Sequence, residues 1–332
     1  MKKKFIIKFI IGVILSTVIT INMVPVISGS YSSGNILLNN NKSSNLPRIS
    51  SEVNFTEINI AYYNSNGTMW EDNIVIPNLI QWIGSNLTRV GGQDIKNGIL
   101  DEMDILIFPG GEPPKYMDEL GLEGKAKIQD FVEKGGAYMG ICAGALYACS
   151  YVNWTGWLGA DPIIDDREGF LHLFDGVGIA PIYEIVEFPN KTMTEINIQN
   201  KDHMITKSQP DTMSFLYFGG GYFQPNNNED ETILGTYAIT GKSAMISLNY
   251  GRGKVFLSGP HPEIEEDDSR DGFNDWDNEL NDVESDWPLL KEVIRWLATP
   301  SRNISVPSYF FVFPVTILAI LVLYIRVKKK LI

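Results

Sequence analysis

From residue 57 to residue 147 the chain alternates short apolar runs with amphipathic ones. Residues 57–63 (Glu-Ile-Asn-Ile-Ala-Tyr-Tyr) predict a first strand, closed by the turn Asn64-Ser65-Asn66-Gly67. Over 74–87, Ile76, Leu79, Ile80 and Ile83 recur at helical spacing, with Trp82 adding bulk. Residues 104–108 form a short continuous apolar run, as expected of a strand covered on both faces, and end in Pro109-Gly110-Gly111. Residues 123–133 predict an amphipathic helix with Ile128, Phe131 and Val132 inward, ended by Gly135-Gly136. Residues 137–141 then predict a buried strand, and the small residues from Ala143 a helix. Such alternation predicts an α/β fold: a doubly wound, mostly parallel sheet with helices on both faces and a site at the strand carboxyl ends.

After Cys149 the pattern turns to strands, at 176–188, 192–198, 214–218, 232–239, 243–248 and 253–257. The last of these runs into Ser258-Gly259-Pro260-His261-Pro262-Glu263, followed by an acidic stretch and a final amphipathic helix over 287–297. No internal repeat is visible, so 53–300 is expected to form one domain. The ends have a different character. Lys2, Lys3 and Lys4 precede an apolar run over 5–27, broken by Lys8 and a few hydroxyl residues. With small residues at Ser28, Gly29 and Ser30, residues 1–30 predict a signal peptide or an uncleaved signal anchor. Residues 31–52 are rich in Ser and Asn and read as a flexible spacer. Residues 306–325 are nearly all apolar and are followed by Arg326, Lys328, Lys329 and Lys330. That pattern predicts a transmembrane helix over 305–326 with a basic cytoplasmic tail over 327–332. The expected localisation is the cell membrane, with one pass and the domain outside, or two passes if the first segment is retained. Glycan acceptor sequons at Asn41, Asn54, Asn66, Asn86, Asn153, Asn190 and Asn303 are compatible with an exported glycoprotein.

The net charge of −13 over 332 residues argues against a nucleic-acid partner, whose phosphates would repel it. There is no Gly-rich phosphate loop and no metal-spaced Cys/His cluster, so no cofactor and no metal are expected. Asp267-x-Ser269-x-Asp271-Gly272, with Asp275 following, resembles the start of a calcium loop. Its twelfth position is Asn278 and Glu279 comes one step late, so a solvated acidic loop is the reading. Cys142 and Cys149 are the only cysteines. On one helix they would lie ~10 Å apart along its axis, beyond disulfide reach, which leaves Cys149 as a packing residue.

The chemistry gathers at Gly140-Ile141-Cys142-Ala143-Gly144. A residue in a sharp strand-to-helix turn has strained backbone angles and close neighbours, hence glycine two positions to either side. Amide dipoles at the following helix favour a thiolate. The pattern fits a cysteine nucleophile, and it also fits a buried cysteine in a Gly-rich turn. A nucleophile needs a base, and the base an orienting group. His261 follows a core strand, and Glu263, two residues on, points the same way in an extended segment. The other two histidines, His172 and His203, lack such a partner and are expected to be structural or at the surface. The amides of Ala143 and of Gly110 or Gly111 could form an oxyanion hole. Phe218-Gly219-Gly220-Gly221-Tyr222-Phe223 fits both a substrate wall and a tight turn with packed aromatics.

Several blocks carry a family resemblance: Phe108-Pro-Gly-Gly-Glu-Pro-Pro-Lys-Tyr116, Gly136-Ala-Tyr-Met-Gly-Ile-Cys-Ala-Gly-Ala145, Tyr217-Phe-Gly-Gly-Gly-Tyr-Phe223 and Gly259-Pro-His-Pro-Glu263. In that order the chain resembles the class I glutamine amidotransferase-like superfamily, and within it the domain found at the amino terminus of some biotin-protein ligases. The resemblance implies Cys142 as nucleophile, His261 as base, Glu263 as its orienter, and attack on an amide carbonyl through a thioester. It makes Tyr116, Gly220, Gly221 and Tyr222 candidate substrate-binding residues. The expected function is a membrane-anchored, outward-facing cysteine hydrolase acting on a small-molecule or peptide amide, glutaminase-like or peptidase-like. A non-catalytic surface ligand-binding or scaffold protein using the same cleft is the alternative, and a transfer enzyme with a separate partner subunit a third reading. Export argues against feeding ammonia to a cytosolic synthetase.

Overall fold

The computed structural model describes residues 53–69, 71–155, 163–165, 168–227, 231–265, 271–272, 280 and 285–300. The expected signal or anchor, spacer, membrane helix and basic tail lie outside the described residues, as does most of the acidic stretch after Glu265. Among the described residues no helix is long and apolar enough to cross a membrane.

The chain runs β1 (Asn59–Tyr63), α1 (Asp72–Ile83), β2 (Asn86–Val90), α2 (Gly92–Lys96), β3 (Ile105–Phe108), α3 (Pro113–Glu133), β4 (Ala137–Ile141) and α4 (Ala143–Tyr147). Nine more strands follow: β5 (Cys149–Trp154), β6 (Ile163–Asp165), β7 (Phe174–Ala180), β8 (Thr192–Ile198), β9 (Thr212–Tyr217), β10 (Tyr222–Pro225), β11 (Thr232–Tyr237), β12 (Ser243–Tyr250) and β13 (Gly253–Ser258), then α5 (Trp287–Ala298). Among the described residues the main sheet has nine strands in the order β2-β1-β3-β4-β13-β12-β11-β8-β9, and β10-β7-β5-β6 form a second sheet.

The expected mostly parallel sheet is thereby corrected to a mixed one. From β2 to β13 every pairing is parallel, and from β13 to β9 every pairing is antiparallel. The cause is connection length. A two-residue turn, Gly251-Arg252, joins β12 to β13, and so short a link permits only an antiparallel pair.

Other expectations shift at their boundaries. The helix expected over 74–87 is α1, which stops at Gly84 in the left-handed region (φ 93°), and Asn86–Val90 is an edge strand with mostly exposed side chains. An edge strand of that kind leaves no apolar run to read. α3 starts ten residues before the predicted helix, with a break at Gly121 (φ 59°, ψ −170°). α4 is only five residues long, so Cys149 opens β5 instead of continuing the helix. The strand expected over 176–188 is β7, which ends at Ala180.

Period-two alternation in the parallel strands builds two cores. Ile60, Tyr62, Ile105, Ile107, Met139 and Ile141 pack with α1 and α5 on one face of the sheet. Ala61, Tyr63, Leu106, Phe108 and Tyr138 pack with α3 and α4 on the other. Helices do cover both faces of the parallel half, as expected. Phe108 is the hub of the second core: it stacks on Tyr63 at 4.5 Å and 11° and contacts Tyr116, Tyr138 and Tyr147 within 5.7 Å. Removing that ring leaves a large void among fully buried aromatics. Phe108→Ala is expected to lower unfolding free energy in urea by about 3–5 kcal/mol, and a loss under about 1 kcal/mol would contradict this role.

Candidate active site

β4 lies between β3 and β13 with all five residues buried, and its carboxyl end delivers Cys142 at φ 49° and ψ −110°. Few non-glycine residues adopt such angles, and they persist only where the surroundings over-determine them. Here the Cys142 N–H donates to Ser258 O at 2.8 Å, and the Gly144 N–H donates to Pro109 O at 2.9 Å. The flanking glycines are required by contact. A Cβ on Gly140 would lie 2.7 Å from Gly144 O, and one on Gly144 would lie 2.1 Å from Phe108 O. Cys142 is 7% exposed, and its Sγ donates to Phe218 O at 3.7 Å. Cys149 is fully buried, donates to Ala145 O at 3.5 Å, and has its thiol pushed up by burial.

The end of β13 supplies the second half. His261 and Glu263 are both fully buried, and His261 Nδ1 is 2.7 Å from Glu263 Oε1. The loop is fixed from two sides: the His261 N–H donates to Leu216 O on β9 at 2.9 Å, and Trp287 Nε1 of α5 donates to Glu263 O at 2.7 Å. Burial alone would lower the imidazole, but the Glu263 carboxylate and the Cys142 sulfur outweigh it and hold His261 well above its usual range. His261 Nε2 has no nitrogen or oxygen partner among the described residues.

Asp72, in the first turn of α1, was not singled out by its sequence. It is fully buried, its Oδ2 accepts from the Gly110 N–H at 2.9 Å, and its Oδ1 has no donor among the described residues; nor does Glu263 Oε2. One ligand atom each of Asp72, His261 and Glu263 lies within 4.8 Å of the others, a spacing that could also hold a metal ion. Burial raises the Asp72 carboxyl first, and the Glu263 charge raises it further. Burial and the neighbouring Glu263 charge therefore both favour the neutral form of the Asp72 carboxyl. An isolated Asp before an apolar helix reads as a helix-start signal, which is why only the tertiary contact exposes this role.

The Asp72 bond also narrows the oxyanion candidates. The Gly110 N–H is committed to Asp72. Gly111 and Ala143 line the same cavity as Cys142. No acceptor for either amide is found among the described residues, and the first amide of a helix has no acceptor within it. The remaining sequence candidates fall elsewhere. Tyr116 is fully buried and donates to Gly110 O at 2.8 Å, so it buttresses the turn and does not line the cavity. Gly220 and Gly221 are packed against backbone: Cβ atoms there would lie 1.9 Å from Gly259 O and 2.9 Å from Ile179 O. Tyr222 pairs with Ile179 in the second sheet and carries Lys242 Nζ 4.4 Å above its ring. From that glycine block it is Phe218 and Gly219 that line the cavity. His172 and His203 stand apart, and His203 packs on Trp296 at 5.3 Å.

The raised Asp72 carboxyl has a measurable consequence. A carboxyl raised in the folded state contributes stability in full below its ordinary value of about 3.9 and loses it as pH rises through the folded value. Asp72→Asn keeps an acceptor for Gly110 and offers Glu263 a permanent donor. In urea titrations at pH 5 and pH 8, the variant is expected to lose less stability on going to pH 8 than the native protein. An equal loss in both would contradict the raised Asp72 carboxyl.

With this geometry in view, comparison with known proteins gives a consistent family. Residues 96–297 match the family model described as "Biotin-protein ligase, N terminal". An uncharacterized protein of Chlamydia muridarum is 32% identical over 187 residues, covering 53% of this chain and 67% of that one. A biotin–protein ligase of Schizosaccharomyces pombe is 28% identical over 168 residues, covering 48% of this chain but only 25% of that one. Among solved structures, a glutamine amidotransferase of Thermotoga maritima overlaps with a TM-score of 0.46 at 11% identity, over 73% of this chain and 98% of that one. The chain belongs to the biotin-protein ligase N-terminal family.

Proposed function

We propose that the chain is a cysteine-dependent amide hydrolase. The observation that carries this reading is a strained, backbone-locked Cys142 interacting with His261, whose Nδ1 is in turn 2.7 Å from Glu263 Oε1 in a fully buried pair. His261 Nε2 takes the Sγ proton, and the thiolate adds to the amide carbonyl carbon. The oxyanion develops toward the Gly111 and Ala143 amides. Collapse breaks the C–N bond as His261 returns the proton to the leaving amine. Water then gives a proton to His261, and its oxygen attacks the thioester to release the acid and restore the thiol. Glu263 holds the imidazole tautomer throughout.

Attachment to the cell membrane with the domain facing outward belongs to the same proposal and rests on the segments at 1–30 and 305–326. A second reading, ligand binding without catalysis, is supported by the cavity of about 760 Å³ that opens beside Cys142.

Labelling separates the two. Iodoacetamide is expected to modify Cys142 well ahead of Cys149, and His261→Ala to slow that reaction by about 10²-fold or more, read by intact-protein mass spectrometry against Cys142→Ala. Equal, slow labelling of both thiols would remove the hydrolase reading. For the membrane arm, the protein is expected to resist alkaline extraction from membranes and to be cut by protease added to intact cells; a freely extractable or protease-protected domain would overturn it.

A further inference from the structure

The cavity beside Cys142 has a lining that says what kind of amide it takes. Its apolar lining includes Leu146, Val152, Trp154, Phe170, Phe188 and Phe218. Three of these rings form one continuous surface: Trp154 meets Phe188 edge-on at 5.3 Å, and Phe188 stacks on Phe218 at 5.8 Å and 21°. The wall is held in place by backbone. Gly219, at φ 68°, brings its Cα so close to Phe188 that a Cβ would lie 2.8 Å from the ring. A rigid aromatic surface of this kind offers a flat apolar group a preformed contact at little ordering cost.

The charges in the lining have one sign. Glu71, Glu112 and Asp165 belong to it, and no Lys or Arg does among the described residues. Lys191, with its Nζ 5.1 Å from the Phe218 ring centroid, is not part of the lining. Free glutamine carries an α-carboxylate that needs a cationic or multiply hydrogen-bonded partner, and the described lining offers an apolar wall and no cationic side chain, while Lys115, outside it, already pairs with Glu112. Its short polar side chain would also leave most of the roughly 760 Å³ unfilled.

Building on the hydrolase reading above, we propose that the scissile amide carries a bulky apolar acyl group, preferentially aromatic, seated on the Trp154–Phe188–Phe218 wall. Free glutamine and other small anionic amino-acid amides are excluded from the site. In the reaction already described, the C–N bond that breaks leaves this acyl group on Sγ as the thioester, and water releases it as the arylalkyl carboxylic acid.

The test is calorimetric binding to the full chain carrying Cys142→Ala, which keeps the cavity and removes turnover. Three probes are compared: 3-phenylpropanamide, 3-phenylpropanoate and L-glutamine. The neutral aromatic amide is expected to bind at least tenfold tighter than its carboxylate, with L-glutamine failing to compete at concentrations that saturate the amide site. Phe188→Leu and Phe218→Leu, each checked for an unchanged melting profile, are expected to weaken the amide at least about tenfold, the scale of a lost apolar contact in a binding pocket. Glutamine binding as well as the aromatic amide, no measurable binding of the amide, or affinity indifferent to both Leu variants would each overturn the proposal. Cys142 labelling reports separately on the hydrolase reading. An inert Cys142 beside selective aromatic-amide binding removes the catalysis and leaves the ligand class standing, whereas a reactive Cys142 beside glutamine binding does the reverse.

Discussion

The site exists because strand ends meet backbone to backbone at the carboxyl edge of the main sheet. Gly144 sits on Phe108 O and Gly220 on Gly259 O, with no room for a methyl group at either contact. These contacts join β3 to the elbow after β4, and the glycine turn after β9 to the loop after β13. A protein interior transmits such displacements instead of absorbing them, so one added Cβ would move Cys142 relative to His261. The position of Cys142 is therefore a property of packing between segments more than 30 residues apart in sequence, and its unusual φ of 49° is held by hydrogen bonds from both sides.

A second constraint is the burial of ionisable groups. Asp72, Glu263 and His261 are all fully buried. Burial and the Glu263 charge raise the Asp72 carboxyl, and the imidazole beside a carboxylate gains basicity despite its burial. Asp72 contributes twice: it holds the Gly110 amide with one oxygen and faces Glu263 across the cluster. The turn that presents the Gly111 amide and the pair that orients the imidazole are thus fixed by one carboxyl group. Structural support and chemical poise cannot be separated at that residue.

The same low-polarity surroundings extend into the cavity. For the proposed reaction, apolar walls strengthen the interactions between sulfur, imidazole and amides. For the proposed ligand class, the same walls supply the contact surface. Both proposals therefore rest on one feature, the apolar lining shared by α4, β5 and the segments carrying Phe188 and Phe218.

Much of this was legible along the chain. Continuous apolar runs at β3 and β4, helical spacing at Ile76, Leu79, Ile80 and Ile83, and glycines around Cys142 follow directly from local sterics and periodicity, so they gave the parallel half of the sheet and the elbow. His261 and Glu263 were readable as a pair because two residues apart on extended chain is itself a local relation. What the sequence could not carry was anything set by contacts at long separation. The polar edge strand β2 has no apolar run, and the antiparallel half depends on connections and pairings that hydrophobicity does not encode. Asp72 is 38 residues from the amide it binds, Tyr116 turned out to be a buttress, and Phe218 and Gly219 took the wall position expected of Gly220, Gly221 and Tyr222. Local physics determined which elements form and which residues are reactive in kind. Only the tertiary structure decided which of them share a cavity, because backbone proximity and burial arise when distant segments pack.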